Sequence, residues 1–214
     1  NDPLLHTAKL LSDFDILDAK GILDTYAAIK SEINESALAL CETKQLDSAA
    51  TVMRSILPKA RKCKCPSLPD KKARQEIFGD LFSKLSGPLN LSQSINAALT
   101  DLMLQYPNII VFGEDVAKKG GVYRVTADLL NRFGPARVFD SLLDEQTILG
   151  QAIGHAHNGF LPIPEIQYLA YLHNAEDQLR GEAASLSFFS DGQFSNPMVI
   201  RIASFGYQKG FGGP

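Results

Sequence analysis

The chain has 214 residues, 45% of them apolar and 21% charged, with a formal net charge of −3. That balance fits a globular protein with one well-buried core and a smaller second unit, and it is too even to point to nucleic acid. No apolar run nears the roughly 20 residues that span a bilayer, and no signal-peptide pattern opens the chain, so a cytoplasmic protein is expected.

Helices are expected throughout the first quarter. Asp2-Pro3 supplies an N-cap and a first-turn proline ahead of Leu4, Leu5, Ala8 and Leu11. Asp18 caps a long amphipathic helix with Ile22, Tyr26, Ile29, Ile33, Ala37 and Leu40 on one stripe, opposite Lys30, Glu32, Glu35 and Glu42. A third helix starts at Asp47, turns Val52, Ile56 and Leu57 inward, and stops before Pro58. From Lys59 to Arg74 the chain is basic and broken by Pro66 and Pro69, which reads as a solvated linker. It lacks the interleaved aromatics of a nucleic-acid surface. Three cysteines make no even disulfide framework, and Cys63 and Cys65 are too close together for a routine zinc knuckle. No metal site is expected.

After Pro88 helices and strands alternate. Ser92 can cap a helix through Gln105, and Ile109-Ile-Val-Phe112 is a continuous apolar run suited to a strand buried on both faces. Thr126 can cap a helix to Arg132, Val138-Phe139 begins a second strand, and a helix follows from Glu145 to Asn158. Pro162 to Gln167 reads as a third strand, Asn174 to Phe189 as a helix and Met198 to Ala203 as a fourth strand. The order implies an α/β fold, a parallel sheet with helices on both faces, preceded by an α-helical tail segment. The expected organisation is a tail over 1–57, a linker over 58–88 and an α/β domain over 89–214 that is incomplete at its C-terminus. Ligands of such sheets gather at the carboxyl ends of the strands, where Glu114, Glu145 and Gln167 fall.

The stretch Leu143-Asp-Glu-Gln-Thr-Ile-Leu-Gly-Gln-Ala-Ile-Gly154 sets a carboxylate on a strand-to-helix turn, with Gly150 and Gly154 one helical turn apart behind it. Glu145 read alone is equally a helix N-terminal acid near the dipole. Gly150, Ala152, Gly154 and Ala156 are small residues along one helix, which permits close approach of a neighbour. His155 and His157 diverge by about 200° on that helix and cannot share a metal.

The Glu-x4-Gly-x-x-x-Gly spacing resembles the pyrimidine-binding domain of thiamine diphosphate enzymes. Gly113-Glu-Asp-Val116, Gly120-Gly-Val-Tyr-Arg-Val125, Phe133-Gly-Pro-Ala-Arg-Val-Phe-Asp140, Leu143-Asp-Glu145, Glu165-Ile-Gln167 and Phe211-Gly-Gly-Pro214 are similar, in that order, to the beta subunit of the 2-oxoacid dehydrogenase decarboxylase component. The likeness runs from about Leu91 to Pro214 and is nearer the branched-chain than the pyruvate type. Residues 1–57 resemble the C-terminal helical tail of the alpha subunit, through Asp2-Pro3 and the helix spacing. A fused alpha–beta enzyme is implied, with this chain as the middle of a longer polypeptide.

The resemblance implies thiamine diphosphate and Mg2+ as cofactors, both completed by a module outside this segment, because the family's Gly-Asp-Gly diphosphate motif is absent here. It matches Glu145 to the acid that hydrogen-bonds the pyrimidine ring and helps the cofactor lose its thiazolium proton. Burial would raise such a carboxyl's pKa. Leu143 matches a residue whose carbonyl meets the aminopyrimidine, although its side chain also reads as core. Gln167 and Tyr171 match residues lining the pocket, and Tyr171 equally reads as a core or interface aromatic. Gly150 and Gly154 match a subunit-interface helix, though Gln151 and His155 replace the usual apolar residues after them. A catalytic histidine is expected just beyond residue 214.

The implied activity is oxidative decarboxylation of a 2-oxoacid, branched-chain or pyruvate, with acyl transfer to a lipoyl group. The implied partners are an alpha-type diphosphate-binding module or second protomer and a lipoyl acyltransferase, within a homo-oligomer. The segment alone is expected to be inactive. The alternatives are an acetoin-cleaving or deoxyxylulose-phosphate synthase-like relative, or a cofactor-free interaction module of the same fold.

Overall fold

A computed structural model describes residues 2–54 and 67–204. The chain divides into two compact units, Asn1–Thr51 and Val52–Pro214.

The first unit is helical. Helix α1 spans Pro3–Asp13, and the Asp2 carboxylate caps it by accepting the Leu4 N–H at 2.8 Å. Helix α2 spans Ala19–Cys41 and starts from Asp18, which accepts the Gly21 N–H at 2.7 Å. Both caps stand where the sequence placed them. The apolar stripe of α2 differs in its fate: no residue of α1 or α2 is buried, and Tyr26, Ile29, Ile33 and Leu40 are exposed. A 3.6-residue period reports that a face could be covered, without supplying the cover. Helix α3 is short, Ala49–Met53, and Val52 is exposed within it. Ile56, Leu57 and the run through Cys63, Cys65 and Pro66 lie outside the described residues.

The second unit opens with a helical strut where the sequence suggested a linker. Asp70 caps α4, Lys71–Phe78, by accepting from the Lys72 and Ala73 N–H groups, and 3-10 turns continue over Gly79–Ser86. Arg74 holds this strut against helix α5, Leu91–Gln105, through a bidentate pair with Asp101 at 2.7 and 3.0 Å. Its guanidinium also lies 5.7 Å from the Phe78 ring centroid and 5.8 Å from that of Phe82. One basic residue of the segment is thereby drawn out of solvent. The cap of α5 is Asn90 rather than Ser92. Asn90 and Gln93 form a reciprocal capping box, and the Ser92 hydroxyl donates instead to the Tyr123 carbonyl at 2.9 Å.

Four strands form one parallel sheet in the order β2-β1-β3-β4: β1 Ile109–Gly113, β2 Val138–Asp140, β3 Leu161–Ile166 and β4 Arg201–Ile202. Alternate residues feed two cores. On one face Ile109, Val111, Val138 and Ile163 meet Leu99 and Met103 of α5 and Leu129 of α6, Leu129–Phe133. On the other, Ile110, Phe112 and Ile166 meet Ile148, Leu149 and Ala152 of α7, Glu145–His157. The doubly covered sheet follows from strands too apolar to leave either face wet. Phe112 and Phe139 stack at 5.1 Å, and the half-buried His155 meets them edge-on at 5.6 and 6.2 Å.

Two expectations of local structure fail for identifiable reasons. Thr126 caps no helix: its hydroxyl donates to the Val116 carbonyl at 2.7 Å, closing a loop, and α6 begins three residues later. The stretch expected to be one helix from Asn174 to Phe189 is a 3-10 turn over Leu169–Ala175, a π-helical turn over Gln178–Ala183 and helix α8, Leu186–Phe189. Gly181 in its middle lowers helix propensity, so tertiary contacts set the winding.

Leu129 is 0% exposed and Leu23 is 69% exposed. Leu129→Ala should therefore cost about 2–5 kcal/mol in chemical denaturation, whereas Leu23→Ala should change stability by less than about 0.5 kcal/mol.

Candidate functional site

The parallel register places Asp140, Gly113, Glu165 and Arg201 side by side across the carboxyl end of the sheet. Just beyond this row lie Glu114 after β1, the turn Ser141–Asp144 after β2, and Gln167 after β3. Helix α7 begins at that turn. The Asp144 side chain caps it, accepting the Thr147 N–H at 3.1 Å, and this sets Glu145 in the first helical turn.

Glu145 is 7% exposed, a carboxylate held away from water at the mouth of the sheet. Its Oε2 accepts from the Asn174 side-chain amide at 3.1 Å. Glu114 lies close enough to sense it. Partial burial, then the charges of Asp115 and Glu145, push the Glu114 carboxyl above its ordinary pKa against a smaller opposing pull from Lys119.

The other sequence-predicted residues surround this acid unequally. Tyr171 packs against the core cluster that contains Ile148 and Leu149, one turn along α7 from Glu145, and its ring meets Tyr168 edge-on at 5.5 Å. Gln167 is half-buried at the end of β3. Leu143 is 73% exposed beside Leu142 at 74%, so Leu143 is a surface residue of the turn and not a core residue. Gly150 and Gly154 are exposed on α7, and a Cβ built on either meets nothing within 4 Å. Among the described residues no group of three or more His, Cys, Asp or Glu is placed to hold a metal ion, and no helix is long and apolar enough to cross a membrane. The segment Phe211 to Pro214 lies outside the described residues.

Sequence reasoning missed two members of this neighbourhood. Asn174 was read as the start of a helix, and its hydrogen bond to Glu145 spans 29 residues. Glu165 was noted only as part of a motif, yet it is 1% exposed and ion-paired with Arg201. A charged residue inside the otherwise apolar run Leu161-Pro-Ile-Pro-Glu-Ile166 was the available signal.

Comparison with known proteins matches residues 88–209, more than half of the chain, to the transketolase pyrimidine-binding domain. A 3-methyl-2-oxobutanoate dehydrogenase subunit beta of Mycobacterium tuberculosis is 41% identical over 140 residues, 65% of this chain and 40% of that protein. A pyruvate dehydrogenase E1 component subunit beta of Acholeplasma laidlawii is 42% identical over 114 residues, 53% of this chain and 35% of that protein. A 2-oxoisovalerate dehydrogenase subunit beta of Pseudomonas aeruginosa is 38% identical over 114 residues, 53% and 33% of the two chains. The matched region thus spans 40% or less of the length of each of these relatives. With its doubly covered parallel sheet and the acid at its carboxyl end, the chain belongs to the transketolase pyrimidine-binding domain family.

Proposed function

We propose that this chain supplies the pyrimidine-binding side of a thiamine diphosphate-dependent 2-oxoacid dehydrogenase, of the branched-chain or pyruvate type. The observation that carries the reading is the buried Glu145 carboxylate, fixed by helix α7 at the carboxyl end of the sheet in a region similar to dehydrogenase beta subunits.

The side chains suit a flat heteroaromatic ring. Glu145 can exchange a proton or hydrogen bond with a ring nitrogen. Asn174 holds that carboxylate in place from the 3-10 turn. Tyr171 offers a planar face for offset stacking, and Gln167 a neutral donor and acceptor pair. The exposed Leu142 and Leu143 can cover the ring edge from the turn, with the Leu143 carbonyl as an acceptor for an exocyclic amine. Bound thiamine diphosphate supplies the electron sink for decarboxylation. The protein's share is to hold the ring, exclude water and position one acid at one nitrogen.

The diphosphate and its Mg2+ then fall to an alpha-type module or a second protomer. In this reading residues 1–57 are the alpha-type tail and residues 89–214 the beta-type domain of a fused cytoplasmic chain. The open Gly150 and Gly154 face of α7 joins protomers, and a lipoyl acyltransferase takes the acyl group.

Two measurements test the reading. In the full-length gene product with thiamine diphosphate and Mg2+, 2-oxoacid-dependent dye reduction should fall about 10²–10⁴-fold in Glu145→Gln. Comparison of 3-methyl-2-oxobutanoate with pyruvate by kcat/KM ranks the substrates, and undiminished turnover in the variant means the acid lies elsewhere. Independently of turnover, Glu145→Gln should lower the Glu114 pKa, because it removes one of the negative charges that raise it. The sign for stability follows: a raised folded-state pKa makes ionised Glu114 a cost at neutral pH, relieved as pH falls through that pKa. The variant should flatten this acid-side gain, read by carboxyl 13C titration and by denaturation at several pH values.

A further inference from the structure

The Glu114–Ala127 loop leaves the sheet from Gly113 and returns to α6 by a path that needs repeated left-handed backbone. Asp115, Gly120, Gly121, Tyr123 and Arg124 have φ of 57°, 81°, 68°, 55° and 62°. For side chains other than glycine such angles are costly and persist only where the surroundings enforce them. Three ties act from the sides. Asp140 accepts the Ala117 N–H at 2.8 Å, the Thr126 hydroxyl donates to the Val116 carbonyl, and Asn96 donates to the Val125 and Ala127 carbonyls at 2.8 and 2.9 Å.

A fourth tie acts from beneath, and it is charged. Glu165 stands on β3 beside Gly113, where an added Cβ would lie 3.1 Å from the Glu165 Cβ. Its Oε1 accepts the Val122 N–H at 3.2 Å, while Oε2 pairs with Arg201 of β4. The turn sits directly on this carboxylate. A Cβ added at Gly121 would lie 3.1 and 3.2 Å from its two oxygens and 2.7 Å from the Thr126 hydroxyl oxygen. The same turn reaches back to the site, because the Gly121 N–H donates to the Asp115 carbonyl at 2.8 Å, next to Glu114. Arg201 is lowered by burial to about 10 and is therefore charged at neutral pH.

We propose that Glu165 and Arg201 form a buried positioning clamp that holds the Gly120–Val122 turn and, through Asp115, sets Glu114 beside Glu145. Glu165 is a positioning residue, since it acts on the site through the backbone of the loop. The ion pair serves to fix which way the carboxylate faces: Arg201 takes one oxygen and turns the other up to the Val122 N–H. The consequence for turnover rests on the reading of Glu145 given above, whereas the clamp itself does not.

The test uses the full-length gene product, with hydrogen exchange of peptides covering 117–125 and steady-state kinetics on the preferred 2-oxoacid. Removing both charges together avoids leaving an unpaired buried ion. Glu165→Ala with Arg201→Met should speed exchange in those peptides roughly tenfold and lower kcat about 10²-fold with KM little changed. Glu165→Gln with Arg201→Met keeps an acceptor for Val122 and should recover protection and most of kcat. If both double variants behave alike, the pair is packing and the clamp is overturned. Gly121→Ala keeps the ion pair and lifts the turn off the carboxylate. It should loosen the same peptides and lower kcat, and unchanged kcat overturns the link from turn to site even if the first double variant fails to fold. Wild-type enzyme that turns over no 2-oxoacid, yet shows the expected exchange differences, keeps the clamp and removes the functional reading.

Discussion

A side chain at Gly113 has nowhere to go. Its Cβ would lie 2.5 Å from the Glu165 carbonyl oxygen and 3.1 Å from the Val116 side chain, at a φ of 152°. The missing side chain lets the chain turn away at Gly113 hard against Glu165. The Glu165 carboxylate then meets the glycine-rich turn, accepting the Val122 N–H. Asp140, in register with Gly113 on the far side, catches the same loop at Ala117. The candidate site is thus arranged around one absent methyl group.

Negative charge is concentrated at this end of the sheet, and most of it is held by neutral donors. Asp140 takes a backbone N–H, Asp144 takes the Thr147 N–H and hydroxyl, and Glu145 takes the Asn174 amide. Neutral donors orient a carboxylate without cancelling its charge, so neighbouring acids continue to feel one another, as Glu114 does. Glu165 is treated differently. Deep in the sheet it has a full counter-ion in Arg201, which matches the much higher cost of an unpaired charge at that depth. Depth in the sheet therefore separates the acid that carries a counter-ion from the shallower ones that do without.

The sheet was legible because its strands are short apolar runs between turn residues, and the start of α7 at Glu145 was legible because the strand-to-helix turn lies within a few residues. Caps were legible only where one residue type stood without competition. Asp2 and Asp18 were read correctly, but at α5 the Asn90–Gln93 box outcompetes Ser92, whose hydroxyl is drawn to the Tyr123 carbonyl. Thr126 has a good capping side chain and spends it on loop closure instead. Asn174, Glu165 and Arg201 were missed as partners because their bonds join residues 29 and 36 positions apart. Strand order sets those pairs, and periodicity carries no information about it. The strut at Lys71–Ser86 was hidden for a related reason: the prolines just before it and its own lysines describe a linker until Asp101 supplies a mate for Arg74.

Helix α7 carries the acid at one end and an aromatic knot at the other. His155 near its C-terminus is wedged edge-on against Phe112, Phe139 and Phe160, the last at 5.8 Å. Thirteen residues at about 1.5 Å each make a rod of roughly 20 Å, and Ile148, Leu149 and Ala152 bury its middle against the sheet while its glycine side stays open. A rod packed along one face has no free end, so a volume change at any of those three side chains shifts Glu145 with the whole helix and leaves the turn before it as the only joint that can absorb the movement.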